Sequence, residues 1–162
     1  MDATSARTLA ESLHRDDFED DGTPVICHVQ RVAMTVPAEA RAVAWLHDAL
    51  ESGHVSEHDL LKAGSTPDEL RALRLLNRTG DGRGDDAYFA HLELIARASG
   101  RSGRLARMVK IADLEDRCLY PRVRASGWAP PYADGLDLLL DLAGEPFNRS
   151  SDPAADGPAA PT

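Results

Sequence analysis

Three apolar stretches of the chain each hold residues that seldom lie in such surroundings without a partner. His28 sits in Val25-Ile26-Cys27-His28-Val29, and His47 and Asp48 sit together in Ala44-Trp45-Leu46-His47-Asp48-Ala49-Leu50-Glu51. Asp113 sits in Val109-Lys110-Ile111-Ala112-Asp113-Leu114. A buried imidazole or carboxylate is costly unless a hydrogen bond, an opposite charge or a cation offsets its lost hydration. Taken alone, a His-Asp pair also fits a helix surface or a satisfied core histidine. Helices that each turn one or two such residues inward are, however, the way bundles build metal sites. The expected ligand set is therefore His28, His47, Asp48 and Asp113. Two imidazoles and two carboxylates suit a borderline divalent ion, with Mn2+ first and Fe2+ or Zn2+ as alternatives. Mg2+, which prefers oxygen ligands, fits less well.

On a continuous helix Glu51, four residues after His47 and three after Asp48, shares a face with both. It is the candidate general base, able to take the proton of a water attacking phosphorus while a metal polarises the phosphoryl group. A solvent-facing acid is the equal alternative. Arg31, one turn after His28, and Lys110, one turn before Asp113, are candidates for neutralising phosphate charge, with Arg117 as a third. Each also fits a rim residue whose stem lies on apolar surface. His54 and His58 read as surface residues. Tyr88 and Phe89 read as core aromatics with base stacking as the alternative, and Cys27 and Trp45 read as core.

These residues need helices to position them, and the composition supplies helices almost everywhere. Segments are expected from about Ser5 to Arg15, from Thr23-Pro24 to before Pro37, and from Pro37 to Ser52. A short helix over Ser56–Ala63 closes at Gly64, and the cap-and-proline signal Ser65-Thr66-Pro67-Asp68-Glu69 starts one running to about Asn77. The glycine-rich stretch Thr79–Asp86 reads as a loop, followed by a helix over Asp85–Ser99. A turn at Gly100–Gly103, a helix over Arg104–Tyr120 and a last helix after Pro130-Pro131 complete the series. The expected fold is an all-α helical bundle in a single domain, residues 1–144, with a disordered Pro/Ala/Asp-rich tail at 145–162. No internal repeat is evident.

With 162 residues, 43% of them hydrophobic, the chain suffices for one core. Its net charge of −9 argues against broad binding to nucleic-acid polymers, which needs a basic surface. A phosphorylated small molecule is still admissible where a metal or local Arg and Lys offset repulsion. Two distant cysteines without a CxxC spacing, a polar N-terminal stretch and no long apolar run lead to the expectation of a cytoplasmic protein without a membrane span.

The order His28, His47-Asp48, Asp113 resembles the HD superfamily of metal-dependent phosphohydrolases, an all-α family with these four positions as metal ligands. More narrowly, Gly22-Thr23-Pro24-Val25-Ile26-Cys27-His28, His47-Asp48-Ala49-Leu50-Glu51 and Val109-Lys110-Ile111-Ala112-Asp113 are similar to the matching segments of the RelA/SpoT-type hydrolase domain. That resemblance spans roughly residues 5–143 and implies removal of pyrophosphate from a guanosine polyphosphate alarmone. The chain departs from the pattern at three places. Ser52 follows Glu51 where the family has a second acid, Arg117 stands where the family has an Asn that contacts ribose, and Asp17 takes a position that is basic in the family. The alternatives are an HD phosphohydrolase of another nucleotide or small phosphoester, and a non-catalytic metal-binding HD module.

Overall fold

Three of the helix starts among the described residues are set by side chains that satisfy the first free backbone N–H groups. The computed structural model describes residues 1–51, 53, 55–77, 84–121 and 130–144. Among them lie α1 (Ala3–Leu13), α2 (Val25–Thr35), α3 (Arg41–Trp45), α4 (Glu57–Lys62), α5 (Pro67–Leu76), α6 (Asp85–Arg97), α7 (Gly100–Leu119) and α8 (Tyr132–Gly144). A single turn of 3-10 helix, Ala38–Ala40, leads into α3. Asp2 accepts from the N–H groups of Thr4 and Ser5, which starts α1 two residues earlier than expected. Ser56 and Thr66 each form a capping box, with Asp59 and Glu69, and Pro67 opens α5 where its missing N–H costs nothing. The described residues contain no strand, only an isolated antiparallel bridge between Phe18 and Pro24.

The all-α, single-domain expectation holds. α7 runs through the middle of the bundle and packs against α2, α3, α5, α6 and α8. Its buried Leu105, Ala106, Val109 and Leu114 meet a core that includes Val29 and Val32 of α2, Leu73 of α5, Leu92 of α6 and Leu139 of α8. Trp45 and Tyr88 are core residues too, Phe89 packs on Tyr88 with ring centroids 5.4 Å apart, and Cys27 is only half-buried. His58 is exposed, as expected.

Two expected boundaries are corrected. The helix expected over Pro37–Ser52 ends at Trp45, and the chain continues through tight turns closed by Ala49 N–H to Leu46 O at 3.0 Å and Gly53 N–H to Leu50 O at 3.3 Å. The turn expected at Gly100–Gly103 is instead the start of α7. Its glycine pair misled: a Cβ on Gly103 would lie 2.1 Å from the carbonyl oxygen of Ala98, so this glycine lets the first turn of α7 lie close against the backbone that precedes the helix. Ser52, His54, residues 78–83 of the expected glycine-rich loop and the expected tail at 145–162 lie outside the described residues. No helix among the described residues is long and apolar enough to cross a membrane.

Candidate metal centre

α2, the turn after α3 and the middle of α7 bring His28, His47 and Asp113 to one point, all three buried. Their facing ligand atoms lie within 4.8 Å of one another. His28 Nε2 is 3.3 Å from His47 Nε2 and 3.2 Å from Asp113 Oδ1. The other nitrogen of each ring is already engaged. His28 Nδ1 donates to the Asp116 carboxylate at 2.7 Å, and His47 Nδ1 donates to the Ala44 carbonyl at 2.8 Å. Neither oxygen acceptor can return a proton, so while these two bonds are made the neutral rings carry lone pairs on both Nε2 atoms. Two imidazole lone pairs and a carboxylate oxygen thus face one another, which is unfavourable until a proton or a cation lies between them. Ligands about 2.0–2.2 Å from a common divalent ion stand roughly 3–3.5 Å apart, so the observed separations fit a metal. Asp48 adjoins the group, its Oδ1 lying 3.3 Å from His47 Nε2.

His47 also accounts for the end of α3. Its ring N–H takes the Ala44 carbonyl, the acceptor that the N–H of Asp48 would have used in a continuing helix. A residue of the candidate centre is therefore the same residue whose ring takes the carbonyl at the end of α3. One consequence is a correction for Glu51: the helical register that set it beside His47 and Asp48 is absent, and Glu51 is exposed in the turns that follow.

The three predicted cations are all near the group, and each is paired with an acid. Lys110 Nζ lies 2.7 Å from Asp113 Oδ2, leaving Oδ1 directed at the histidines. Arg31 grips Asp116 through two bonds, Nε to Oδ1 at 2.6 Å and Nη2 to Oδ2 at 2.9 Å. Arg117 donates to Glu19 at 3.0 Å and stands 4.0 Å from Asp113.

Charge and burial compete at His28, Asp113 and Asp116. Burial alone would hold the His28 pKa down, but hydrogen bonds to Asp113 and Asp116 and the charges of Asp113 and Asp48 outweigh it and raise the pKa above 6.5. Burial would raise the Asp113 pKa, yet Lys110, His28 and His47 hold it well below the usual carboxylate value. Asp116 is likewise pushed up by burial and brought down to about 2 by the bonds from His28 and Arg31.

Next to His28 lies a cleft of about 300 Å³ bordered by Glu19, Asp21, Arg31, Arg117 and Tyr120. The Arg31 guanidinium lies over the Tyr120 ring, 4.3 Å from its centroid. Asp116, Glu19 and Tyr120 were not singled out from sequence. Asp116 had a usable signal, since it follows Asp113 by three residues and therefore shares its helical face. Glu19 had none, because its bond to Arg117 joins residues 98 positions apart.

No protein-family model matches this chain, and no curated protein matches it. The fold and site define an all-α domain with a buried His28–His47–Asp113 group that could hold a metal ion.

Proposed function

We propose that this protein is a metal-dependent phosphohydrolase of the HD type that removes pyrophosphate from a guanosine polyphosphate alarmone. The observation that carries this reading is the convergence of His28 Nε2, His47 Nε2 and Asp113 Oδ1, with each imidazole's outer nitrogen tied to an oxygen acceptor. Asp48 lies beside this group, 3.3 Å from His47 Nε2, and is the fourth ligand that the HD resemblance implies. When bound, a divalent ion such as Mn2+ supplies Lewis acidity and an activated water.

The chain's own residues do the rest. Lys110 holds one oxygen of Asp113 and keeps the other on the histidines. Arg31 and Arg117 border the cleft beside His28 and bring positive charge to a protein of net charge −9. Asp48, next to His47, is the acid beside the group for the proton of the attacking water.

A less highly charged nucleotide or other small phosphoester is the second reading. It is favoured by Glu19 and Asp21, whose carboxylates share the cleft with the two arginines and oppose a substrate bearing many phosphates.

The test is pyrophosphate release from guanosine tetraphosphate with added Mn2+, comparing the protein with Asp48→Ala. Release that the substitution abolishes supports the alarmone reading. Release of phosphate only from nucleoside monophosphates or other phosphoesters in a panel replaces it with the second reading. Stoichiometric metal uptake without turnover on any of them assigns a binding module.

A further inference from the structure

We infer that Asp116 is a positioning residue for the metal centre: held by Arg31, it fixes the proton of His28 on Nδ1 and so keeps Nε2 open toward His47 and Asp113. This rests on reading the convergent group as a metal site, and not on which substrate is processed there.

His28 lies between two carboxylates, Asp116 at 2.7 Å from Nδ1 and Asp113 at 3.2 Å from Nε2. A neutral imidazole has one proton to give, and the two sides compete for it. With the proton on Nε2, His28 would donate to Asp113 Oδ1, and the group would close into a hydrogen-bonded pair with no lone pair for an ion. With the proton on Nδ1, Nε2 is a ligand. The geometry is biased to the second arrangement in two ways. The bond to Asp116 is shorter by 0.5 Å, the difference between the 2.7 and 3.2 Å separations. Asp116 is also locked in orientation by the two-point grip of Arg31, itself resting on Tyr120.

A purely structural ion pair between α2 and α7 would need only Arg31 and Asp116. Here Asp116 Oδ2 serves Arg31 and His28 together, so its position is coupled to the ring. Arg31, expected from sequence to contact phosphate, has two of its nitrogens committed to this task.

The experiment uses the full chain with Asp116→Ala and the near-isosteric Asp116→Asn. Mn2+ affinity is measured by competition with a chelator, unfolding temperature is measured without metal, and 15N NMR of the imidazoles reports the His28 tautomer at a pH where the rings are neutral. Loss of affinity by about 10–100-fold, the range for outer partners of histidine ligands, is expected for Asp116→Ala, with a smaller loss for Asp116→Asn. The NMR signal of His28 is expected to move from the Nδ1–H form toward the Nε2–H form in both. If Asp116→Ala does not fold, Asp116→Asn alone decides the matter. Unchanged Mn2+ affinity and an unchanged tautomer, with only a lowered unfolding temperature, would overturn the inference and leave Asp116 a structural ion pair. Wild-type protein that takes up no Mn2+, Fe2+ or Zn2+ would overturn the metal reading itself, while the tautomer measurement, made without metal, still decides what Asp116 does to His28.

Discussion

Glu69 and Asp116 are both buried carboxylates gripped by a cation, and they end in different places. Glu69 Oε2 accepts from the Met1 ammonium at 2.8 Å and from the Thr66 backbone N–H at 2.7 Å. It thereby fastens the start of α1 to the start of α5, and its partners are backbone groups. Asp116 accepts from Arg31 and from an imidazole whose far nitrogen is aimed at two more ligand-type residues. The same chemistry, a desolvated acid restored by donors, makes a fastener in one region and a support in the other. What separates them is whether a donor has a second functional atom.

The comparison breaks most visibly at His47. Replacing His47 with Ala removes one of the two imidazole nitrogens, so Mn2+ affinity should fall by more than the about 10–100-fold expected of an outer partner. A chelator-competition titration checks this, and an unchanged affinity would mean that the three residues do not form the ion's site.

Glu69→Gln should do the reverse. It should lower unfolding stability in urea by about 1–3 kcal/mol, the cost of leaving buried donors poorly matched, and leave Mn2+ affinity where it was. The effect has a sign in pH. Burial pushes the Glu69 carboxyl up, but the bonds from the Met1 ammonium and Thr66 bring it below the usual 4.5. A depressed folded pKa contributes stability above the unfolded value that is lost as pH falls through the folded one. The difference between wild type and variant should therefore be full at pH 6–7 and shrink below about 4.5. A difference that grows on acidification would show that the pair does not stabilise the fold.

The smallest change is expected from Arg74→Gln. Arg74 pairs with Glu57 on the surface, where water already solvates both, and the urea midpoint should stay within experimental error. A clear shift would place that pair with Glu69 rather than with ordinary surface charge.

Much of the fold is legible in the residues because the signals are local. Ser56, Thr66-Pro67 and Gly64 mark their helix ends through groups that lie within a few positions. The same locality explains the failures. Whether Gly100-Arg101-Ser102-Gly103 bends or coils depends on the Ala98 backbone lying against Gly103. The helix through His47 looks continuous by periodicity, and it stops where the His47 ring takes a backbone carbonyl. Within the candidate centre, the ligand types and their order were readable, as was the nearness of Arg31, Lys110 and Arg117. The pairing of those cations with Asp116, Asp113 and Glu19 was not, since two of the three pairs join residues far apart in sequence. The register of Glu51 failed with the helix that was to supply it.

The bond from His28 to Asp116 joins residues 88 positions apart. Closing a loop of that span costs chain entropy that the packing of α2 against α7 must offset. During synthesis, His28 and His47 emerge well before the residues that orient and complete their site. An ion captured by this group would therefore be a late arrival that holds a finished fold rather than a seed that starts it, and its binding would register as slower unfolding rather than faster folding.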